Sequence, residues 1–313
     1  MAELPNIPAA KTAQVMRFLH VNLNTVDLER SGQIYTSLFG MREVMHTEST
    51  EADGAPMGLS EPTDSRVSFL YDHRGARRSP SLELVVWDKP ATVLNRYQHP
   101  YDIGMQAVAY SVPSIEDLRA PITALGLETG ALTSDDGAAL LFMDPDGVTV
   151  EIHEQVGIEK AQSRHVRLTV GNLARSQAWY EAIGFEVGDP RRERSWQWEV
   201  PGGQSIKAQV ATLRMVMPSD PSYSLELTQW LDPVSSGTPK LAANDQGLYR
   251  MALGVQDTRA SAAALQAAGW PHVKEPDVFV LTGTPLPDLW ISFLRDPDGI
   301  TVELVERPVE SYR

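Results

Sequence analysis

Asp144-Pro145-Asp146-Gly147-Val148-Thr149-Val150-Glu151 returns in the second half of the chain as Asp296-Pro297-Asp298-Gly299-Ile300-Thr301-Val302-Glu303. An internal repeat of this kind decides the fold before any single residue is interpreted. In each copy the Asp-Pro-Asp-Gly is turn chemistry: Pro presets φ, Asp caps and Gly accepts positive φ, and an alternating strand ending in Glu follows. Upstream, Ser81-Leu82-Glu83-Leu84-Val85-Val86-Trp87 is echoed by Ser224-Leu225-Glu226-Leu227-Thr228-Gln229-Trp230. Gly104 to Val112 is matched by Gly247 to Val255, and Phe18 to Asn24 by Arg164 to Val170, each of the latter pair leading into a helical pattern with Tyr35 or Tyr180. The expected architecture is α+β: two tandem domains, 14–155 and 160–308, joined by a short polar stretch around Gly157 to Ser163. Each half reads as strand, helix, several strands, and then the same again, that is, as paired βαβββ units.

Composition bounds the chemistry. The chain has 313 residues, 42% hydrophobic and 22% charged, with a formal net charge of −14 and no cysteine. That is enough apolar material for two cores. Without cysteine there is no disulfide, thiolate metal site or catalytic thiol, so histidine, carboxylate and hydroxyl groups remain. The acidic balance disfavours nucleic acid, since the only basic clusters are Arg77-Arg78 and Arg191-Arg192. Met1 to Gln14 lacks a cationic start followed by an apolar core, and no stretch is apolar for a membrane span's length. The expectation is a cytoplasmic protein, monomer or homodimer, that meets a small-molecule substrate and neither nucleic acid nor membrane.

Strand alternation places polar groups on one face. Leu19, Val21 and Leu23 alternate with His20, Asn22 and Asn24; Val166, Leu168 and Val170 alternate with His165, Arg167 and Thr169. The same phase collects Glu83, Trp87, Ala107, Glu151 and His153 on the second face. Thr47 to Ser65, rich in Glu, Gly, Pro and Ser, reads as a loop over the first cavity. Trp196 and Trp198 face one direction along a strand.

With a starting-strand His, a mid-domain Glu and a D-P-D-G-x-x-x-E ending in each half, the chain resembles the vicinal oxygen chelate superfamily. That group includes glyoxalase I, methylmalonyl-CoA epimerase, extradiol dioxygenases, and bleomycin and fosfomycin resistance proteins. The resemblance implies that the paired βαβββ units of each domain form a mixed sheet curled around a cavity, with a divalent metal held from the first, fourth, fifth and eighth strands. The matching positions are His20, Glu83, Ala107 and Glu151, then His165, Glu226, Arg250 and Glu303. The family's second histidine is thus replaced twice, by Ala107 and Arg250, and its tyrosine position holds Phe293.

Carboxylates crowded in a cleft demand a cation, a shared proton or hydration. Arg250 is the cation expected for Glu226 and Glu303. His20, Glu83 and Glu151 are then the expected ligands of one divalent ion (Zn, Mn, Fe, Ni or Co), with Glu151 and Glu83 also the catalytic carboxylates and His153 a substitute ligand. Substrate contacts are assigned to Asn22, Trp87, His165, Arg167, Glu226, Trp230, Arg250 and Glu303. The function so implied is metal-assisted lyase, isomerase or epimerase chemistry on a small oxygenated molecule through an enolate-like intermediate. Two alternatives stand beside it: a metal-free sequestering protein, and an extradiol-type dioxygenase with an altered metal site. Half-sites assembled across the two domains would group His20 and Glu83 with Arg250 and Glu303, and His165 and Glu226 with Ala107 and Glu151.

Overall fold

The computed structural model describes residues 15–135, 137–279 and 288–307. Four βαβββ units follow one another. The first is β1 (Val15–Asn24), α1 (Leu28–Phe39), β2 (Arg42–Ala52), β3 (Thr63–Tyr71) and β4 (Ser81–Lys89); the second is β5 (Gly104–Val112), α2 (Glu116–Ala124), β6 (Thr129–Ser134), β7 (Gly137–Met143) and β8 (Thr149–Glu154). The third is β9 (Gln162–Thr169), α3 (Leu173–Ile183), β10 (Glu186–Glu199), β11 (Ser205–Met217) and β12 (Asp220–Asp232); the fourth is β13 (Gly247–Val255), α4 (Thr258–Ala267), β14 (Asp277–Phe279), β15 (Leu289–Arg295) and β16 (Thr301–Glu306).

Two sheets result. One is open, in the order β14-β15-β16-β13-β1-β4-β3-β2; the other is a closed barrel, β10-β11-β12-β9-β5-β8-β7-β6. The first unit therefore pairs with the fourth, through antiparallel β1 and β13, and the second with the third, through antiparallel β5 and β9. The repeat read from sequence is real, but each sheet is shared between both halves. The physical reason is connection length: only residues 155–161 separate β8 from β9, whereas residues 90–103 separate β4 from β5, and short links make sequential units neighbours.

Helices start and stop where the side chains dictate. Asp27 accepts a hydrogen bond from Arg30 N at the start of α1, Asn172 does the same for Arg175 N in α3, and Gly40 closes α1 at φ 61°. The repeated turns serve the helices too. Asp144 Oδ1 accepts from the backbone N–H groups of Asp146 and Val148 at 2.9 Å, and its Oδ2 accepts from Tyr35 Oη at 2.8 Å. Asp296 repeats this with Asp298, Ile300 and Tyr180. Tyr35 to Asp144 joins the first unit to the second, and Tyr180 to Asp296 the third to the fourth. The turns bind units within a sequence half, and the sheets bind units across halves.

The main core runs between the helices and both sheets, including Phe18, Tyr35, Phe142, Tyr180, Phe185 and Leu227. Thr47 to Ser65, expected as a loop, is one only between Ala52 and Thr63. Its ends belong to β2 and β3 and its middle is the connection between them, with Met57 and Leu59 packed on small apolar clusters; Ser49 and the buried Ser65 bond across the strand pair at 2.9 Å. Among the described residues no helix is long and apolar enough to cross a membrane.

The barrel closes where β6 meets β10, with Trp198 paired to Leu132 and Glu199 to Ala131. Gly130 stands against the Glu199 carbonyl there, leaving no room for a Cβ. Gly130→Ala is expected to cost about 1–3 kcal/mol through overpacking at this seam, read as a lower urea midpoint. An unchanged midpoint would show that the seam yields freely.

Candidate active site

In the barrel, β5, β8, β9 and β12 bring Ala107, Glu151, His165 and Glu226 to one wall, joined by His153 and Arg167. Glu151 is fully buried, and its carboxylate is the hub. Arg167 donates Nε to Glu151 Oε1 at 2.5 Å and Nη2 to Oε2 at 2.8 Å, a two-pronged contact. His165 Nε2 lies 3.2 Å and His153 Nε2 3.3 Å from the same Oε2. The three candidate donor atoms of Glu151, His153 and His165 all fall within 4.8 Å of one another. Arg167 also donates to Thr228 Oγ1 at 3.1 Å and stacks its guanidinium over Trp196 at 5.1 Å.

Environment sets the protonation of this group. Burial drives His165 down to about 3, outweighing the pull of Glu151, so its imidazole is neutral near pH 7. Burial alone would raise Glu151, but Arg167 outweighs it and holds the carboxylate well below its usual range. Glu226 has no such clamp: burial pushes it up to about 7 against the weaker pull of Arg167 and Arg214. The nearest contact of Glu226 with Arg214 is 3.8 Å. His153, His165, Arg167, Trp196 and Glu226 line a cavity of about 870 Å³.

The open sheet carries the counterpart. Arg250 donates Nε to Glu303 Oε2 at 2.8 Å and Nη2 to Glu83 Oε2 at 2.9 Å, so its guanidinium lies between the two carboxylates. His20 Nε2 is 3.4 Å from Glu83 Oε2 and 3.5 Å from Glu303 Oε2. Burial raises Glu303, yet Arg250 prevails and holds it at about 2. The adjoining cavity is small, about 150 Å³, with Phe69, Leu289 and Ile291 among its walls.

Several expected groupings are corrected. His20 and Glu83 are brought together, but Glu151 belongs to the barrel, so the trio His20, Glu83 and Glu151 does not meet. Arg250 neutralises Glu83 and Glu303, not Glu226. Both follow from units pairing across the halves. Trp87 does not wall a ligand cavity: it is buried and donates Nε1 to Asn24 Oδ1 at 3.0 Å. Trp230 is likewise interior, packed with Trp196 and Trp198. Asn22 is buried on β1 beside Glu83 and lines neither cavity.

The two sites also exchange their cation between strands. Arg250 on β13 corresponds to Ala107 on β5, and Asn22 on β1 to Arg167 on β9 in the sequence repeat. Ala107 lies directly opposite Arg167 in the β5–β9 ladder. Each site keeps one guanidinium, delivered from neighbouring strands, with a smaller residue where the other site has its arginine. Arg164, Arg194 and Arg214 at the barrel cavity were not singled out from sequence; the signal available was the contrast of Arg164 with Leu19 at the matching place of the repeat.

Family models described as the Glyoxalase/Bleomycin resistance protein/Dioxygenase superfamily match residues 17–152 and 164–285. The chain is 25% identical to the lactoylglutathione lyase of Schizosaccharomyces pombe over 92% of its own length and 95% of that protein's. Among solved structures, glyoxalase I from Zea mays superposes with a TM-score of 0.62 at 22% identity, covering 93% of this chain and 92% of that one. A putative dioxygenase from Bacillus subtilis also gives 0.62, at 12% identity over 95% and 86% of the two chains; these two likenesses speak to the fold. Matched in both halves and folded as paired βαβββ units, the chain belongs to the glyoxalase/bleomycin resistance protein/dioxygenase superfamily.

Proposed function

We propose that the barrel site is the active centre of a metal-assisted lyase or isomerase acting on a small oxygenated organic substrate. The observation that carries this reading is the convergence of donor atoms from Glu151, His153 and His165, the two histidines lining the large cavity and the carboxylate buried behind them. Their donor set, two imidazoles and one carboxylate, suits a divalent transition metal, and the neutral state of His165 leaves its ring nitrogen lone pair available. The open-sheet site offers one imidazole, His20, and its two carboxylates share the Arg250 guanidinium that lies between them, a donor set that suits an ion less well. A bound ion supplies Lewis-acid polarisation of substrate oxygens. The chain's own groups do the rest: Arg167 fixes the Glu151 carboxylate, Trp196 walls the cavity, and Glu226 exchanges a proton with the substrate carbon near neutral pH.

Lactoylglutathione lyase activity is the first to assay, following the name of the Schizosaccharomyces pombe relative. A second reading, oxygenase chemistry, is favoured by the same donor set, since two histidines and one carboxylate also serve non-haem iron. Elemental analysis with a parallel oxygen-uptake assay separates them. About one equivalent of metal is expected in wild-type protein, falling below about a tenth in Glu151→Gln and His165→Ala, while Glu83→Gln and Glu303→Gln keep it. Retention of metal by the barrel variants with loss in the open-sheet variants would overturn the assignment.

A further inference from the structure

The β5–β9 ladder contains a register break beside the candidate donors. Ala109 pairs with His165 but the next residue, Tyr110, pairs with Ser163, so Arg164 is an extra residue on β9. Such a bulge re-aims a side chain that strict alternation would point away. Arg164 consequently lines the same cavity as His165 and Arg167. The open sheet has the matching break: Phe18 pairs with Leu253 and His20 with Ala252, leaving Leu19 as the extra residue. There the bulge delivers an apolar side chain to the small cavity.

The surroundings of Arg164 are cationic. Its guanidinium donates Nη1 to Ser111 Oγ at 3.1 Å and makes no ion pair among the described residues. Arg194 and Arg214 line the cavity with it. Of the acidic groups there, Asp189 is engaged with Arg214 at 3.2 Å, Glu154 with the Ile115 N–H at 3.0 Å, and Glu151 with Arg167, while Glu226 shares the cavity with Arg164 without a hydrogen bond to it. An arginine held by one hydroxyl at the edge of a large polar cavity has donors to spare for an oxyanion.

We propose that Arg164, aimed by the bulge and backed by Arg214 and Arg194, is a recognition subsite for a carboxylate or phosphate group on the substrate. The inference deepens the reading of the barrel as the active centre and rests on it. Arg164 thereby sets substrate class: the barrel takes an anionic molecule, while Leu19 leaves the open-sheet cavity without this feature.

The test uses the full chain stripped of metal with a chelator, titrated calorimetrically with glutarate and, separately, with inorganic phosphate at low salt. Wild type is expected to bind at least one of them, the stronger arm identifying the anion, and the affinity should fall as salt is raised. Arg164→Leu, which installs the residue of the other bulge, should weaken binding about tenfold or more, as loss of a charge-assisted hydrogen bond implies. Arg164→Gln serves if the leucine variant fails to fold, and Arg119→Ala, on the exposed face of α2, should bind as wild type. Binding of neither anion by wild type, or equal binding by the Arg164 variants, overturns the proposal. Because the protein is metal-free, the outcome is independent of metal content and turnover. In active enzyme the same variant should raise KM with kcat little changed.

Discussion

Glu226→Gln is expected to lower kcat by about 10²–10⁴-fold, the range that general acid–base catalysis supplies, with metal content unchanged. Its carboxyl lines the cavity, is held near 7 by burial, and has no bidentate partner. The ionised form needed to accept a proton therefore builds up as pH rises through about 7, and wild-type activity should climb over that window. Stability runs the opposite way. With a folded value of about 7 against an ordinary glutamate value of 4.5, Glu226 contributes stability fully below about 4.5 and loses it as pH rises through about 7. The Gln variant should lack both dependences. If it keeps kcat within about tenfold of wild type, proton transfer belongs to another group.

Arg250→Leu should destabilise the protein by about 3–5 kcal/mol, since it strands two buried carboxylates without their cation. The guanidinium joins Glu83 on β4 to Glu303 on β16, so its loss loosens the contact between the first and last units. The pH response should invert. In wild type, Glu303 held at about 2 contributes stability above its unfolded value near 4.5, lost as pH falls through about 2. In the variant, buried unpaired carboxyls favour protonation, so acidification should raise stability. Adding Glu83→Gln and Glu303→Gln to Arg250→Leu should recover much of the loss in urea unfolding. A single variant as stable as wild type would mean that the carboxylates are well hydrated.

The fold was largely legible because its signals are local. The Asp-Pro-Asp-Gly turns, the alternation in Leu19 to Asn24 and the echo of Ser81 to Trp87 each report the conformation of their own segment. Which unit pairs with which is not local information. It depends on the lengths of the links at 90–103 and 155–161, and that choice moved Glu151 away from His20 and Glu83. The candidate residues were mostly visible as a set, and His153 as a substitute ligand, while the grouping across the two halves stood as one of two arrangements that the sequence left open. Arg164 was hidden for a different reason: alternation points it away from His165, and only a register break turns it back. Trp87 and Trp230 show the converse, sharing the phase of site residues yet spent on the interior.

The alternation of ties has a mechanical meaning. Sheets clasp the first unit to the fourth and the second to the third, while Tyr35–Asp144 and Tyr180–Asp296 clasp the first to the second and the third to the fourth. The four units form a closed ring of contacts, so no single one can be peeled off without breaking two kinds of joint. Severing the link at 155–161 would give two fragments, each holding one half of each site and neither holding a whole one. Chemistry in this chain is therefore a property of the closed ring, and duplication has produced mutual dependence where two independent copies could have stood.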